Sequence, residues 1–459
     1  VDEGAVVLVL DGLDEVADKL RERVRWAVGA LVAECQIARV MITCRVRSYG
    51  GAAVFPGFHP ETLAPFTARH IHDFAGHWYG AQSARFDADQ ATAKAQDLER
   101  AALDEDLFSL AQNPMMLTSM AILHQREIGL PRQRVMLFNQ LVDVLLRRWQ
   151  KNKAEVLEGT LLEDFLKDEL RLRAVVERLA FEVHAVGASD DRGVARATVA
   201  GDLSRGAALV LLEGSEYLQS AARAEAFLDY IDQRAGLLVG RGGEPGHPAS
   251  YSFPHRTLQE YLAGRHLTRG LLPHREHDRL AGHGDYWAQA AQYGAEDLLY
   301  NRQQPDHLRH LAYQLLRQRC DTTHKRRAAL WSGNYAALVN PEAIAADPDP
   351  QGGPDYLARL RPTLVDLLSS DLTAIERAEA GRSLALLGDP RPEVMTVEGM
   401  RFAFVPAGPF CMGSDKANDP QLYQHEEPAH TLELPDYWVG VHTVTNAQFE
   451  AFIADEGYG

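Results

Sequence analysis

The chain opens on an apolar run, Ala5–Leu10, rich in Val and Leu and without polar alternation, the pattern of a parallel strand covered on both faces. A helical stretch over Val16–Glu34 and a second apolar run over Ala38–Thr43 follow. Strand, helix, strand in that order predicts a right-handed parallel crossover and an α/β opening. After a loop bearing Gly50, Gly51, Pro56 and Gly57, Glu61–Pro65 reads as one more strand and Thr67–Tyr79 as an amphipathic helix. From about Leu98 the periodicity is helical, punctuated by Pro114 and Pro131.

Residues 160–270 are mostly helical in pattern, but Gly236–Gly240 and Ser250–Phe253 are short apolar strands around a Gly/Pro-rich tip, Arg241–Pro248. Helices followed by such a hairpin predict a winged helix. Residues 271–390 are again helical, with a Pro/Asp/Gly linker at Ala346–Asp355 and one HEAT-type helix over Ala374–Pro392. Beyond Val394 short strands and Gly/Pro turns take over. The resulting division is 1–80, 81–158, 159–270, 271–393 and 394–459.

Length agrees with a multidomain chain, since 459 residues exceed what one core supports. Charge narrows the function: 47 basic against 64 acidic residues, net −17, leave no footprint for a nucleic-acid backbone, so no general nucleic-acid partner is expected. No apolar run is long enough to span a bilayer, so no membrane partner is expected. Cys35, Cys44, Cys320 and Cys411 are too scattered for a disulfide framework, which suits a reducing compartment, the cytoplasm.

The sharpest chemical motif is Val6-Val-Leu-Val-Leu-Asp-Gly-Leu-Asp-Glu15, an apolar strand ending in acids. Ligands of open parallel sheets bind at such strand ends. A carboxylate fixed there, Asp11, suits Mg²⁺, while Asp14 or Glu15 can orient or deprotonate an attacking water. The D-G-L-D-E tail resembles the NACHT family of STAND ATPases, in which a small residue follows the metal-binding Asp and two acids come three and four positions later. Val40-Met-Ile-Thr-Cys-Arg45 resembles the sensor segment of that family, which makes Arg45 the contact to the terminal phosphate.

Further segments resemble the family in its own order. They are Leu63-Ala-Pro-Phe66 with Ile71–Trp78, then Leu110-Ala-Gln-Asn-Pro-Met-Met-Leu117, then Leu130-Pro-Arg-Gln-Arg134 with the Leu137–Trp149 helix. The second implies that Pro114 packs on the adenine, although a proline that merely starts the Met115–Ile122 helix fits the same position. Tyr251-Ser-Phe-Pro-His-Arg-Thr-Leu-Gln-Glu-Tyr-Leu-Ala263 resembles the winged-helix segment whose His contacts the β-phosphate of ADP, a role that falls on His255. The implied cofactors are ATP or ADP with Mg²⁺. No G-x-x-x-x-G-K-[ST] string occurs; in the family it precedes the first acidic strand, so the chain is expected to begin inside a P-loop nucleotide domain and to hold half its site.

At the other end, V-P-A-G-x-F-x-M-G-S over Val405–Ser414, then Glu427-Pro-Ala-His430, Tyr437-Trp-Val-Gly440 and Val444-Thr-Asn-Ala-Gln-Phe-Glu-Ala-Phe452 resemble the start of a formylglycine-generating-enzyme, or sulfatase-modifying-factor, domain, of C-type-lectin-like α+β fold. That family uses a copper-binding cysteine pair later in its domain. Cys411 matches neither member and reads as a packing residue, so copper enters only if a later pair exists. Thr443 stands where family members commonly have Glu or Pro.

His59, His70, His72 and His77 do not converge on a helix and read as solvated or packing residues; His274–His277 with Asp278 read as a polar loop, and Leu141–Trp149 as core. The resemblances imply a nucleotide-controlled signalling switch, self-oligomerising on activation by a protein trigger, with the C-terminal module as sensor or effector and a place in bacterial antiphage defence. Two alternatives stay open: a formylglycine-generating oxidase with a regulatory NACHT region, and a non-hydrolysing helical scaffold.

Overall fold

A computed structural model describes residues 7–13, 18–35, 37, 39–44, 54–126, 130–151, 162–188, 202–214, 216–234, 238–244, 247–253, 255–270, 272–316, 320–350, 352–415 and 423–455. By contact the chain divides into two units, 1–339 with 371–376, and 340–370 with 377–459.

The first unit begins with β1 (Val7–Leu10), α1 (Asp18–Glu34) and β2 (Arg39–Ile42), the two strands parallel with Leu10 opposite Ile42. Leu13, Val28 and Phe55 are the buried centre of this part, with Leu10, Val24, Val32 and Ile42 packed around them. The expected burial on both faces is not what the described residues show: Val7, Val9 and Met41 are 57%, 50% and 55% exposed. In period-2 strands one set of side chains meets the small core, and no described element covers the other. Among the described residues this sheet has two strands, and a P-loop sheet core is not shown. Glu61–Pro65 is irregular instead of a strand, with Leu63 98% exposed; Pro60 and Pro65 remove ladder donors at both ends of so short a stretch.

Helices then take over: α2 (Ala68–Gly80), α3 (Ala88–Ala102), α4 (Glu105–Ala111), α5 (Pro114–Arg126) and α6 (Arg134–Lys151). Their starts are written in the sequence. Thr67 caps α2 in a reciprocal box with His70, and Asp87 does the same for α3 with Gln90. Ile71, Ala75 and Tyr79 recur at helical spacing and are buried.

The winged helix comprises α7 (Glu163–Lys167), α8 (Glu169–Ala188), β3 (Leu203–Ser204), α9 (Arg205–Leu212), α10 (Ala221–Arg234), β4 (Val239–Glu244), β5 (His247–Ser252) and α11 (Arg256–Leu267). The sheet is antiparallel in the order β3-β5-β4. The strands run further into the expected tip than the sequence suggested, since Arg241–Glu244 and His247–Pro248 are strand. β3 was not legible, because two residues carry no period; Ser204 shows its place by capping α9 through the Ala207 amide at 3.2 Å. One apolar core runs from Ile71 to Tyr293 and is separate from the core under β1 and β2.

Downstream lie α12 (Pro273–Ala281), a 3-10 turn Gly284–Trp287, α13 (Ala288–Glu296), a π-helical turn Asp297–Asn301, α14 (Pro305–Leu315) and α15 (Thr323–Val339). His274–Asp278 is therefore helix and not loop: Pro273 starts α12, and His277, wholly buried, bonds through Nδ1 to the Pro273 carbonyl at 2.8 Å. Asp278 pairs with Lys325 at 2.7 Å.

The second unit holds α16 (Pro341–Ala345), α17 (Gly353–Leu367), most of α18 (Ala374–Leu387), α19 (Pro392–Met395), β6 (Phe402–Val405), β7 (Gly408–Met412), β8 (His430–Leu434), β9 (Tyr437–Gly440) and α20 (Asn446–Ala454). β6 pairs β9 and β7 pairs β8, both antiparallel. Thr445 caps α20, and its hydroxyl donates to the Val394 carbonyl at 2.7 Å while Gln448 Nε2 reaches the Glu393 and Thr396 carbonyls, both at 3.1 Å.

Among the described glycines the tightest backbone approach is between α11 and α13. A Cβ on Gly264 would sit 2.0 Å from the Ala290 carbonyl oxygen, and one on Gly294 2.5 Å from that of Gly264. Gly264→Ala is expected to lower stability by about 2 kcal/mol or more, because overpacking outweighs the gain in helix propensity. Gly76→Ala, where a Cβ meets nothing within 4 Å, is the control and stays neutral or gains. Urea unfolding of the two variants checks this; equal midpoints contradict it.

Candidate functional site

Asp11 lies at the carboxyl end of β1, and β2 ends beside it. The two strand ends are clamped: the Thr43 amide donates to the Leu10 carbonyl at 2.9 Å, and the Leu13 amide to the Thr43 carbonyl at 3.0 Å. Gly12 between them has φ +81°, a conformation open to glycine, and its amide donates to Thr43 Oγ1 at 2.9 Å. The Thr43 hydroxyl in turn donates to Asp11 Oδ1. The result is an exposed carboxylate held at the strand end that parallel sheets offer to ligands, with oxygen chemistry suited to Mg²⁺. Asp14, Glu15 and Arg45 lie outside the described residues.

Pro114 occupies the first turn of α5 and is exposed. The preceding Asn113 caps that turn, its Oδ1 accepting from the Met115 amide at 3.0 Å and the Met116 amide at 3.3 Å. His255 is half-buried at the N-cap of α11, its backbone extended (φ −124°, ψ 109°), and its side chain makes no capping bond.

What fixes α11 is a buried charge network that the motif reading missed. Asp297, fully buried, accepts from Arg265 at 2.8 Å, Arg302 at 2.6 Å, Tyr261 at 3.0 Å and Asn301 at 2.8 Å. Glu177 on α8, also buried, accepts from Arg265 at 2.8 Å and Arg173 at 3.3 Å and faces Arg269 at 3.0 Å. Burial alone would depress the Arg265 guanidinium, but Tyr261, Glu177 and Asp297 outweigh it and hold it above its usual value. Beside them Arg134, the Arg of the L-P-x-x-R segment, forks onto Glu296 with Nε at 2.9 Å and lies 4.8 Å over the Tyr293 ring. The available signal was a Tyr and an Arg four apart on a helix whose every turn is apolar, Tyr261 and Arg265.

Three imidazoles in this body are held neutral. Burial, with Arg256 nearby, takes His184 down to about 3; burial, with Arg178 and Arg269, takes His266 to about 4; burial takes His277 to about 4. His184 stacks on Tyr286 with ring centroids 4.4 Å apart. Outside the core, His72 pairs with Glu99 at 2.8 Å, and no group of three or more His, Cys, Asp and Glu that could hold a metal occurs among the described residues. No helix among them is long and apolar enough to cross a membrane. Cys411 is exposed on β7 opposite Thr431, which does not fit a buried packing residue.

Comparison with known proteins accounts for two stretches. Residues 134–267 match the winged helix-turn-helix domain C-terminal to NACHT, and residues 389–459 match the sulfatase-modifying factor enzyme 1-like domain. Hercynine oxygenase of Mycolicibacterium smegmatis is 29% identical over 125 residues, 27% of this chain and 29% of that protein. Hercynine oxygenase of Mycolicibacterium thermoresistibile is 46% identical over 50 residues, 11% of each chain. Formylglycine-generating enzyme of Mus musculus is 36% identical over 74 residues, 16% of this chain and 18% of that one. The chain thus spans under a third of the length of these curated relatives. The NACHT-associated stretch starts with Arg134 and so includes α6 with the winged helix.

Two outcomes follow from the network and the imidazoles. Asp297→Asn leaves Arg265 and Arg302 buried without their full counter-charge and is expected to cost about 3 kcal/mol, measured by urea unfolding with the buried Trp287 as fluorescent reporter. An unchanged midpoint contradicts the network's role. Because the folded state keeps His184, His266 and His277 neutral while the unfolded chain protonates near 6.5, stability is full above that value. It falls as pH drops from 7 to 5, by up to about 1.4 kcal/mol per unit for each imidazole. His277→Phe lessens the slope; a flat profile in the natural chain contradicts the assignment.

Proposed function

We propose that this chain belongs to a nucleotide-controlled signalling switch of the STAND/NACHT class. The single observation that carries the reading is the winged helix matched to those that follow NACHT domains, preceded by an acidic strand end of the kind that binds Mg²⁺ and phosphates. In this reading Asp11 holds Mg²⁺, Asp14 and Glu15 handle the attacking water, Arg45 meets the terminal phosphate, Pro114 packs on the adenine and His255 reaches the β-phosphate. The metal supplies charge neutralisation between phosphates when bound. The chain's residues orient it and sense its nucleotide.

Supporting a switch over a turnover enzyme, Asp11 and the α11 helix led by His255 lie, among the described residues, beside separate apolar cores within the first unit. A ligand touched by both favours one arrangement of the two by its differential affinity. The C-terminal module is then sensor or effector, self-association accompanies activation by a protein trigger, and the cellular context is bacterial, cytoplasmic and antiphage. The names of the curated relatives favour a second reading, an oxidase of the formylglycine-generating kind under NACHT control. Residues 389–459 carry a single cysteine, Cys411, so they offer no thiol pair for copper.

The test is nucleotide retention and hydrolysis by the natural protein containing this chain. The proposed function requires that ADP or ATP co-purify, that hydrolysis need Mg²⁺, and that Asp11→Asn with Asp14→Asn remove it by about 10²-fold or more. A protein that neither retains nucleotide nor hydrolyses it overturns the switch. Oxidation of a cysteine in a sulfatase-type peptide, unaffected by the double substitution, favours the second reading.

A further inference from the structure

We infer that Thr43 is a positioning residue for the Asp11 carboxylate, an inference that rests on the Mg²⁺ role just proposed for Asp11. The hydroxyl is the only polar side-chain group on the stretch Val40–Thr43, and the parallel register places it beside the end of β1. Its two hydrogen-bonding duties are both set. The oxygen accepts the Gly12 amide at 2.9 Å, which fixes the rotamer, and the hydrogen is directed at Asp11 Oδ1. The Thr43 backbone bonds to Leu10 and Leu13 hold the residue in place on either side of the acid.

The consequence is chemical. An exposed aspartate on a strand end rotates among rotamers and loses that freedom on binding a cation. A hydroxyl that donates to one carboxylate oxygen removes the rotation beforehand and leaves the other oxygen, Oδ2, for the metal. Among the described residues no other side chain bonds to Asp11, so the orientation depends on Thr43. A hydrophobic residue, which the apolar run Val40–Ile42 would otherwise continue, fills the same strand position but cannot do this. Outer-shell partners of metal-binding carboxylates typically change metal affinity or activity 10- to 100-fold when removed.

The experiment compares Thr43→Val, Thr43→Ser, Thr43→Ala and Asp11→Asn in the natural protein that contains this chain. The readouts are the Mg²⁺ concentration for half-maximal ATP hydrolysis, KM for ATP at saturating Mg²⁺, and Tm. Thr43→Val and Thr43→Ala are expected to raise the half-saturating Mg²⁺ about tenfold with KM for ATP changed less than about twofold, and Thr43→Ser to restore it. A merely structural threonine would move Tm in all three without moving the Mg²⁺ requirement. If Val and Ala leave that requirement unchanged while Asp11→Asn abolishes it, the positioning role is overturned and the Asp11 assignment stands. If Asp11→Asn itself leaves the requirement unchanged, the reading of the site fails and the inference falls with it.

Discussion

The carboxylate of Asp297 is the constraint around which the larger body is arranged. A charge so deeply buried must be answered by cations and donors with good geometry, and the chain answers it from several elements at once. Arg265 and Tyr261 come from α11, Asn301 and Arg302 from the π-helical turn and its end, and Arg265 continues to Glu177 on α8. Asp297 and Asn301, four apart in the π-helical turn, share one face, and Asn301 also donates to the Val135 carbonyl at 3.0 Å, tying in α6. The glycine contact of Gly264 with Gly294 lets α13 come close enough for all of this.

That constraint reaches the candidate site through α11. His255 stands at the N-cap position of the helix whose later turns carry Tyr261 and Arg265, so fixing those side chains sets the rotation and axial position of that helix. Asp11 depends on different physics: a small core of Leu13, Val28 and Phe55, and a hydrogen-bonded clamp between two strand ends. Under the proposed function a nucleotide touching both Asp11 and His255 would favour whichever arrangement it binds more tightly.

Much of this was legible in the sequence. The two opening strands, the α1 helix, the amphipathic α2 helix and the hairpin of the winged helix follow from period and turn residues. Glu61–Pro65 misled because an extended, proline-bounded stretch looks like a strand until a partner is sought. The His274–Asp278 helix was hidden by its charge, since within those residues only His277 turns inward, in place of an aliphatic residue. Of the site, the strand-end acid and the winged-helix histidine were readable as motifs. Thr43 and Asp297 were not, because a hydroxyl or a carboxylate shows its partners only when strands or helices distant in sequence are brought together.

Hydrogen exchange of the natural protein with and without ADP and Mg²⁺ is the most direct examination of two bodies joined by a nucleotide. The account predicts slowed exchange at residues 7–13 and 39–44 and at the first turn of α11, with the α11 and α13 crossing and residues 272–339 unchanged. Protection that spreads through 272–339 while the two strand ends and the start of α11 stay as they were would contradict it.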